Sequence, residues 1–288
     1  MSALEPLLRK VAEDDVSGSS EIYSRLLRDL TAALKDKPTV VDWKEFCLGL
    51  SKVKRSMAPI QNVAGSIKVM LNASIPEDQI NGFIKGFLIS LQEKDANAAE
   101  IIAKKVANEQ RPKKIVTLSY SGTVTKAILA MSRDIEVSVA ESLPMGEGAV
   151  TCRKLSDRGV KVTLFRDTMI CSELKDADLV LVGADGVCPE GVVNKVGTMS
   201  LAIAAKELGR PVISLCCTSK LIPVLDLDPI TTMRDADGYT FREDVFELTP
   251  LSLFHSIITE EGTFSGEEMR KRLLNDRSKM KETECQGC

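Results

Sequence analysis

The stretch that decides the fold runs from residue 114 to residue 129 and reads KIVTLSYSGTVTKAIL. Its first part, residues 114–120, is a short apolar run of the kind that forms a buried β-strand. Ser121-Gly122-Thr123 follow, and a predicted helix then passes through Ile128 and Leu129. Strand, polar loop and helix in this order form the repeating unit of a parallel sheet covered by helices.

The same unit recurs towards the C-terminus. Further strands are predicted at residues 135–140, 160–165, 179–182 and 212–217. These runs are continuously apolar instead of alternating, which is typical of strands buried on both faces. We therefore predict an α/β fold with a parallel sheet. Beyond residue 220 the pattern weakens to a loop at 226–239 and a charged helix at 267–281.

Residues before 111 have a different, helical pattern. Apolar residues recur every three or four positions after Ser19 and Ser20, whose side chains are predicted to cap a helix. Further helices are predicted from an Asp42–Glu45 capping box, from Pro76 to residue 91, and at 97–108, with one short strand at 39–41. The sequence thus predicts a helical domain at 1–110 and a ligand-binding and oligomerisation domain at 111–288.

Composition excludes several classes of protein. The 288 residues include 38 basic and 41 acidic side chains, and the net charge of −3 does not favour binding to a nucleic-acid backbone. One Trp, three Tyr and eight Phe are too few for an aromatic platform that stacks single-stranded bases. No apolar run approaches 18 residues and no signal peptide is visible, so we expect a cytoplasmic protein without a membrane span.

The cysteines do not have the spacing of a metal site. Six of the eight are scattered through apolar surroundings, and Cys285 and Cys288 form a C-x-x-C pair at the C-terminus. A closed zinc site needs four ligands, and His255 is the only histidine. The pair is interpreted as part of a frayed terminus, with a metal or redox role as the alternative. Neither a dinucleotide-binding glycine motif nor a P-loop is present, and we expect no cofactor and no metal.

Polar residues follow several of the predicted strands. In open parallel sheets, ligands bind beyond the carboxyl ends of the strands. Ser121-Gly122-Thr123 there offers hydroxyl groups and free N–H groups at a helix start, which suits an anion, although such a segment also serves as a plain helix cap. A second candidate of this kind is Asn194-Lys195-x-Gly197-Thr198. Ser119 precedes the first candidate at the end of the same strand, and Lys220 lies at the end of the strand at 212–217.

Asp185 follows the strand at 179–182 after a Gly-Ala pair. At that position a carboxylate is partly removed from water beside a ligand and can accept or donate a proton. The alternative is a structural cap of a turn or helix.

Two segments carry a family resemblance. Residues 182–187 read VGADGV and residues 193–198 read VNKVGT. Together they resemble the signature shared by the alpha, beta and delta subunits of translation initiation factor 2B, methylthioribose-1-phosphate isomerase and archaeal ribose-1,5-bisphosphate isomerase. Supporting matches lie at 15–19, 117–121, 141–144 and 246–250.

The resemblance implies a fold, an assembly and an activity. The implied fold is a helical N-terminal domain followed by a Rossmann-like parallel sheet, and the implied assembly is a homodimer or larger oligomer built through the C-terminal domain. The family's enzymes convert a sugar 1-phosphate aldose to the ketose. Its aspartate corresponds to Asp185, and its ligand-holding asparagine and lysine correspond to Asn194 and Lys195.

The resemblance breaks at the family's catalytic cysteine, which corresponds to Ser119. A thiol has a pKa of about 8.5 and exchanges protons near neutrality, whereas an alcohol does so far less readily. Ser119-Tyr120-Ser121 is similar to the initiation-factor subunits, and Leu143 replaces an arginine that is frequent in the isomerases. Asp185 favours the isomerases instead, because the regulatory subunits commonly have glutamate there.

Two N-terminal segments are further candidates for ligand binding. The hydroxyls of Ser17 and Ser19 with the backbone of Gly18 suit a phosphate cradle, and Arg55 offers a positive charge. The alternatives are that Ser19 caps the first helix and that Arg55 is an ordinary surface charge.

The sequence therefore predicts a regulatory protein of the initiation-factor-2B type that binds a sugar phosphate or nucleoside monophosphate. The alternative is an aldose–ketose isomerase acting on a ribose 1-phosphate derivative, with Asp185 and Ser119 as the catalytic pair. Whether the protein is an enzyme is left open. A translation initiation factor is an expected partner, and membrane and nucleic acid are not.

Overall fold

Five helices formed by periodic apolar residues make up the N-terminal part of the protein. The computed structural model describes residues 4–14, 17–131, 134–224 and 231–286. The helices are α1 (Glu5–Glu13), α2 (Ser19–Ala33), α3 (Val40–Leu50), α4 (Ala58–Asn72) and α5 (Glu77–Glu109). Residues 4–97 form one compact unit, and the described residues from Ala98 onward form a second. The last turns of α5 therefore belong to the second unit, whereas the sequence placed the boundary after residue 110.

The start of α3 corrects two predictions. Residues 39–41 do not form a strand, because Thr39 is the N-cap of the helix. Its hydroxyl accepts the N–H of Asp42 at 3.2 Å, and the Asp42 carboxylate accepts the N–H of Thr39 at 2.8 Å. This capping box lies three residues before the predicted one, and the two reciprocal hydrogen bonds outweigh the strand preference of the β-branched residues.

Residues 77–109 form one continuous helix, so the prediction of two helices was wrong. No Gly or Pro interrupts the chain between residues 87 and 109. The Asn97 side chain donates to the Glu93 carbonyl at 3.1 Å within the helix. Ala98, Ile102 and Val106 are buried and continue the apolar face across the expected break.

The second unit is built on a seven-stranded, mostly parallel sheet. Its strands lie in the order β12-β11-β7-β4-β1-β2-β3, and only β12 is antiparallel to its neighbour. The bounds are β1 (Lys114–Leu118), β2 (Glu136–Ala140), β3 (Lys161–Phe165), β4 (Leu179–Val182), β5 (Gly186–Cys188), β6 (Gly191–Lys195), β7 (Val212–Leu215), β8 (Thr231–Ala236), β9 (Tyr239–Asp244), β10 (Phe246–Thr249), β11 (Ser256–Ile258) and β12 (Thr263–Phe264). The helices of this unit are α6 (Gly122–Ala130), α7 (Gly148–Ser156), α8 (Ile170–Glu173), α9 (Thr198–Glu207) and α10 (Gly266–Gln286).

Apolar cores cover both faces of this sheet. Ile115, Leu179 and Leu181 face one core, where they pack with residues of α5, α6 and α7. Val116 and Val180 face the other core, with residues of α9 and α10. Burial on both faces explains why the central strands β4 and β7 are continuously apolar, whereas the edge strand β3 is mostly exposed. The predicted α/β fold, helical first and then a parallel sheet, is confirmed.

Two smaller sheets were not predicted. Strands β10, β6 and β5 form an antiparallel sheet beyond the carboxyl end of β4. Strands β8 and β9 form a hairpin where the sequence predicted a loop. Asp237 and Gly238 at its turn have φ values of +36° and +89°, and Asp-Gly is a common signal for such a hairpin.

Some predictions fall outside the described residues: Asp15 and Val16 of the N-terminal match, residues 226–230 of the predicted loop, and Cys288 of the C-x-x-C pair. Within the described part of the chain, no helix is both long and apolar enough to cross a membrane. The same residues contain no group of three or more His, Cys, Asp or Glu side chains arranged to hold a metal ion.

Candidate ligand-binding site

The loops after β1 and β2 contain two serines in a left-handed backbone conformation. Ser119 has φ +57° and Ser142 has φ +65°, values that residues other than glycine rarely adopt. The N–H of Ser119 donates to the Ser142 hydroxyl at 2.7 Å, and Asp167 accepts the N–H groups of Ser142 and Leu143 at 2.8 and 2.9 Å. The Thr151 hydroxyl donates to the Ser119 carbonyl at 2.7 Å. This network holds both strained residues in place, and such strain clusters at functional sites.

The Ser119 side chain has no base to activate it. The residue is half-buried, and no carboxylate or histidine among the described residues hydrogen-bonds its hydroxyl. A serine hydroxyl is a weak acid and a weak nucleophile unless a base lies next to it. Ser119 is thus equipped to hydrogen-bond a ligand but not to exchange a proton with it.

Nearby cysteines do not replace the missing thiol. Burial raises the pKa of Cys188 to about 11 and that of Cys216 to about 12. Both thiols are therefore protonated at neutral pH, and only the thiolate form is strongly reactive.

The segment after β4 lies between the loops of its two neighbouring strands. A Cβ on Gly183 would lie 2.7 Å from Ser121 Oγ and 2.8 Å from Ser121 Cβ, so only glycine permits this approach to the β1 loop. On the other side, the Lys220 ammonium donates to the Ala184 carbonyl. The next residue, Asp185, donates its N–H to the Val193 carbonyl at 2.8 Å and keeps its side chain half-buried.

Lys220 is the most informative charge at this edge of the sheet. Its residue is 5% exposed, and it ends a 3-10 turn, Thr218–Lys220, that begins three residues after the end of β7. Among the described residues, no carboxylate lies within 4 Å of its ammonium, whose one hydrogen bond is to the Ala184 carbonyl. A buried cation without a counter-ion is costly, and an anionic ligand would offset that cost.

The sequence suggested that Asn194 and Lys195 lie at a helix start. In the structure they are the last two residues of strand β6. The Asn194 amide donates to the Thr198 hydroxyl at 3.0 Å, and that hydroxyl donates to the Lys195 carbonyl at 2.6 Å. The Lys195 ammonium, with its side chain 3% exposed, contacts Glu147 Oε1 at 2.9 Å. Both predicted ligand clamps therefore have partners within the protein.

The N-terminus of α9 is occupied by a carboxylate of the chain itself. Gly197 is its N-cap, with φ +99°, and the N–H of Met199 donates to Glu247 Oε1 at 2.8 Å. Glu247 supplies the negative charge that a helix N-terminus favours. This helix end is therefore a weaker anion site than the sequence indicated.

Glu147 is a residue of the site that the sequence reasoning missed. It is the N-cap of α7, and its Oε2 atom is buried without a hydrogen-bond partner among the described residues. The next residue must be glycine, because a Cβ on Gly148 would lie 2.0 Å from the Ala140 carbonyl oxygen. The Gly-Glu-Gly pattern at 146–148 was the available signal, but it does not show that Lys195 is the partner.

The segment at 121–123 forms the N-terminus of α6. The Ser121 hydroxyl accepts the N–H of Val124 at 3.3 Å, so Ser121 is a helix cap. The N–H groups of Gly122 and Thr123 have no partner among the residues that the structure describes. A cap and two free N–H groups are compatible with the predicted binding of an anion.

Four of the predicted ligand residues lie in the first compact unit. Ser17 is half-buried, and its N–H donates to Asp14 at 2.8 Å; Gly18 is the exposed N-cap of α2. Ser19 is buried and is the first residue of the helix, so it is not the predicted cap. Arg55 is half-buried. The role of these four residues in binding a ligand stays a prediction.

Comparison with known proteins decides the family. The model of the initiation factor 2 subunit family matches residues 1–266. The chain belongs to this family. The family includes relatives named as initiation-factor subunits and relatives named as sugar-phosphate isomerases, as the sequence resemblance suggested.

Members of the initiation factor 2 subunit family resemble the chain over different lengths. Ribose 1,5-bisphosphate isomerase of Haloferax volcanii is 35% identical over 162 residues, which cover 50% of this chain and 49% of the relative. The chain thus matches about half the length of that isomerase. A putative translation initiation factor eIF-2B subunit 2-like protein of Pyrococcus horikoshii is 28% identical over 263 residues, covering 89% of this chain and 88% of the relative.

Solved structures agree on the fold of this family. The translation initiation factor eIF-2B of Pyrococcus horikoshii superposes with a TM-score of 0.80 at 24% identity, over 92% of this chain and 98% of that chain. A 5-methylthioribose 1-phosphate isomerase from the same organism gives a TM-score of 0.69 at 19% identity, over 94% and 87%. A structure named as an initiation factor and one named as an isomerase therefore share this fold, so the fold does not separate the two functions.

Proposed function

We propose that the protein binds a small phosphorylated ligand, a sugar phosphate or a nucleoside monophosphate, at the carboxyl edge of its sheet. We propose further that it acts as a regulatory protein of the initiation-factor-2B type. The observation that carries the proposal is the buried Lys220 ammonium, which has no carboxylate partner among the described residues. The free N–H groups of Gly122 and Thr123 follow the neighbouring strand β1 and support it.

The regulatory reading is favoured by the chemistry of position 119. An isomerase of this kind moves a proton between neighbouring carbons of its substrate, which needs one group to take the proton and one to return it. Ser119 has no neighbouring base to assist it. A relative that matches 89% of the chain, from Pyrococcus horikoshii, is named as a putative translation initiation factor eIF-2B subunit 2-like protein.

The alternative is an aldose–ketose isomerase of ribose 1-phosphate derivatives. Asp185 supports it, because its half-buried carboxylate follows the segment held by Lys220 and a carboxylate can exchange a proton with a bound sugar. The 35% identity to ribose 1,5-bisphosphate isomerase also supports it. The reaction is an internal proton transfer and consumes no second substrate.

A thermal-shift screen tests binding. Purified protein is mixed with ribose 1,5-bisphosphate, 5-methylthioribose 1-phosphate, AMP and hexose phosphates. At a hundredfold excess over Kd, a ligand adds about 2.7 kcal/mol of stability, or roughly 5–10 °C in Tm for a unit of this size. Lys220→Met should lose that shift. A wild type that shows no shift with any of these compounds contradicts the proposal.

Phosphorus NMR of the bound samples separates the two functions. We expect the substrate signal to persist unchanged in the regulatory case and a ketose signal to grow in the enzymatic case. In the enzymatic case, Ser119→Cys should raise turnover and Asp185→Asn should abolish it without changing the fold. Ligand binding without any gain in turnover from Ser119→Cys argues against the isomerase.

The proposed assembly is a homodimer or larger homo-oligomer in the cytoplasm, with a translation initiation factor as a further partner. Light scattering coupled to size-exclusion chromatography measures the molar mass of the particle and thus the oligomeric state. A mass of 31.4 kDa at all concentrations would contradict the oligomer.

A further inference from the structure

The side chain of Glu260 connects the turn that carries Lys220 to the end of the neighbouring strand. Glu260 follows β11, and its two carboxylate oxygens accept the N–H of Thr218 at 3.1 and 3.0 Å. The Thr218 hydroxyl donates to the same carboxylate. Thr218 is the first residue of the 3-10 turn that ends at Lys220, and the N–H of Lys220 donates to the Cys217 carbonyl at 2.9 Å.

Glu260 is itself held in place on both sides. The N–H of Cys216 donates to the Ile258 carbonyl at 3.1 Å, which joins the ends of the parallel strands β7 and β11. Thr259 is fully buried and forms two backbone hydrogen bonds with Gly262. The Thr259 N–H donates to the Gly262 carbonyl at 2.8 Å, and the Gly262 N–H donates to the Thr259 carbonyl at 3.3 Å. The backbone on either side of Glu260 is thus held by its own hydrogen bonds, independently of the contact between the Glu260 side chain and Thr218.

The charge of Glu260 is satisfied without using the ammonium of Lys220. Its carboxylate is bound by an N–H and an O–H of Thr218, and these charge-assisted hydrogen bonds are stronger than neutral ones. No ion pair forms between Glu260 and Lys220. The arrangement fixes the turn and leaves the cation available to a ligand.

We infer that Glu260 is a positioning residue that holds the Thr218–Lys220 turn so that the Lys220 ammonium meets the anionic group of the ligand beside Asp185. This inference rests on the proposed function and adds to it a residue that lies outside the signature segments. Glu260 touches no ligand in this role and acts through Lys220.

A double-mutant cycle tests the inference with ribose 1,5-bisphosphate as the probe. Affinities are measured by calorimetry for the wild type, Glu260→Gln, Lys220→Met and the double variant. Lys220→Met should weaken binding about 10- to 100-fold, the range for a hydrogen bond to a charged group. Glu260→Gln should weaken it by a smaller factor in the wild type and by none in the Lys220→Met background. Equal effects in both backgrounds would overturn the inference.

Two controls separate positioning from general damage. Glu261→Gln removes the neighbouring carboxylate, which contacts Arg272 at 2.5 Å instead of the turn, and it should leave the affinity unchanged. Thr218→Ser keeps both donors and should bind like the wild type. An affinity loss in either control as large as that of Glu260→Gln would contradict the assignment.

Hydrogen exchange of the ligand-free protein tests the positioning role of Glu260 without any ligand, and so separately from the proposed function. The Thr218 amide should exchange faster in Glu260→Gln than in the wild type. Unchanged exchange overturns the positioning role alone. A wild type that binds neither ribose 1,5-bisphosphate nor any other compound of the thermal-shift screen, with the expected exchange result, overturns the proposed function and the ligand role of Lys220 with it.

Discussion

Replacing Glu147 by glutamine should destabilise the second unit through Lys195. The two side chains form an ion pair with Nζ and Oε1 2.9 Å apart, and the Lys195 side chain is 3% exposed. Glutamine keeps the volume and one acceptor oxygen but removes the negative charge. The ammonium then remains buried without a counter-charge, which is the unfavourable case for a lysine.

The size of the effect follows from the burial of the two partners. Removing one partner of a fully buried pair costs ~3–5 kcal/mol. The Glu147 side chain is 25% exposed, so water screens part of the pair. We therefore expect about 2 kcal/mol for Glu147→Gln, or roughly 4–8 °C in Tm for a unit of this size.

The measurement is urea unfolding followed by far-UV circular dichroism, because the only tryptophan, Trp43, lies in the first unit. The matched control is Glu136→Gln, whose ion pair with Lys161 is exposed on both sides, at 53% and 73%. Exposed pairs contribute ~0–1 kcal/mol, so this control should hardly change the midpoint.

A second variant checks the cause. Glu147→Gln combined with Lys195→Met removes both charges and should recover most of the stability lost by Glu147→Gln, because no buried charge remains. The reasoning is refuted if Glu147→Gln costs no more than Glu136→Gln. It is also refuted if the double variant is less stable than Glu147→Gln alone.

Three further predictions concern single residues. Thr39→Ala removes the cap of α3 and should cost about 1 kcal/mol, measured by unfolding that is followed through the fluorescence of nearby Trp43. Two backbone N–H groups lower the pKa of Asp178, so its contribution is present above the unfolded-state pKa and lost as the pH falls through the folded one. Asp178→Asn should accordingly lower Tm at pH 7, this loss should shrink as the pH falls through the folded-state pKa, and a loss that does not change with pH would contradict this cause. Gly183→Ala places a Cβ 2.7–2.8 Å from Ser121 and should lower the free energy of unfolding by ~1–3 kcal/mol. An unchanged urea midpoint would show that the loop after β1 shifts without a cost in stability.

Local patterns were sufficient for the strands of the large sheet. Strand β4 consists of Leu179–Val182, the same four residues that the apolar run predicted, because a strand buried on both faces needs apolar side chains at every position. Patterns failed where a hydrogen bond opposed the local preference, as at Thr39. They also failed where no residue marked a break, as within α5.

The hairpin of β8 and β9 was predictable in principle. Its Asp237-Gly238 turn is a known hairpin signal, but residues 226–239 are rich in Asp, Pro and Thr, and that composition favoured a loop. The small sheet that carries Asn194 and Lys195 had no such signal. Its strand β10 lies about 50 residues after β6 in the chain, so its pairing is not a local property.

The sequence by itself determined that Ser119, Asp185 and Lys220 follow strands of one parallel sheet and therefore share its carboxyl edge. Only the tertiary structure decided which partners hold them. Lys195 pairs with Glu147, 48 residues away, and Thr218 binds Glu260, 42 residues away. Such pairs depend on the order β11-β7-β4-β1-β2 and on how the loops fold over it. Strand order is set by the packing of the whole sheet, whereas the apolar pattern of each strand shows only that it is buried.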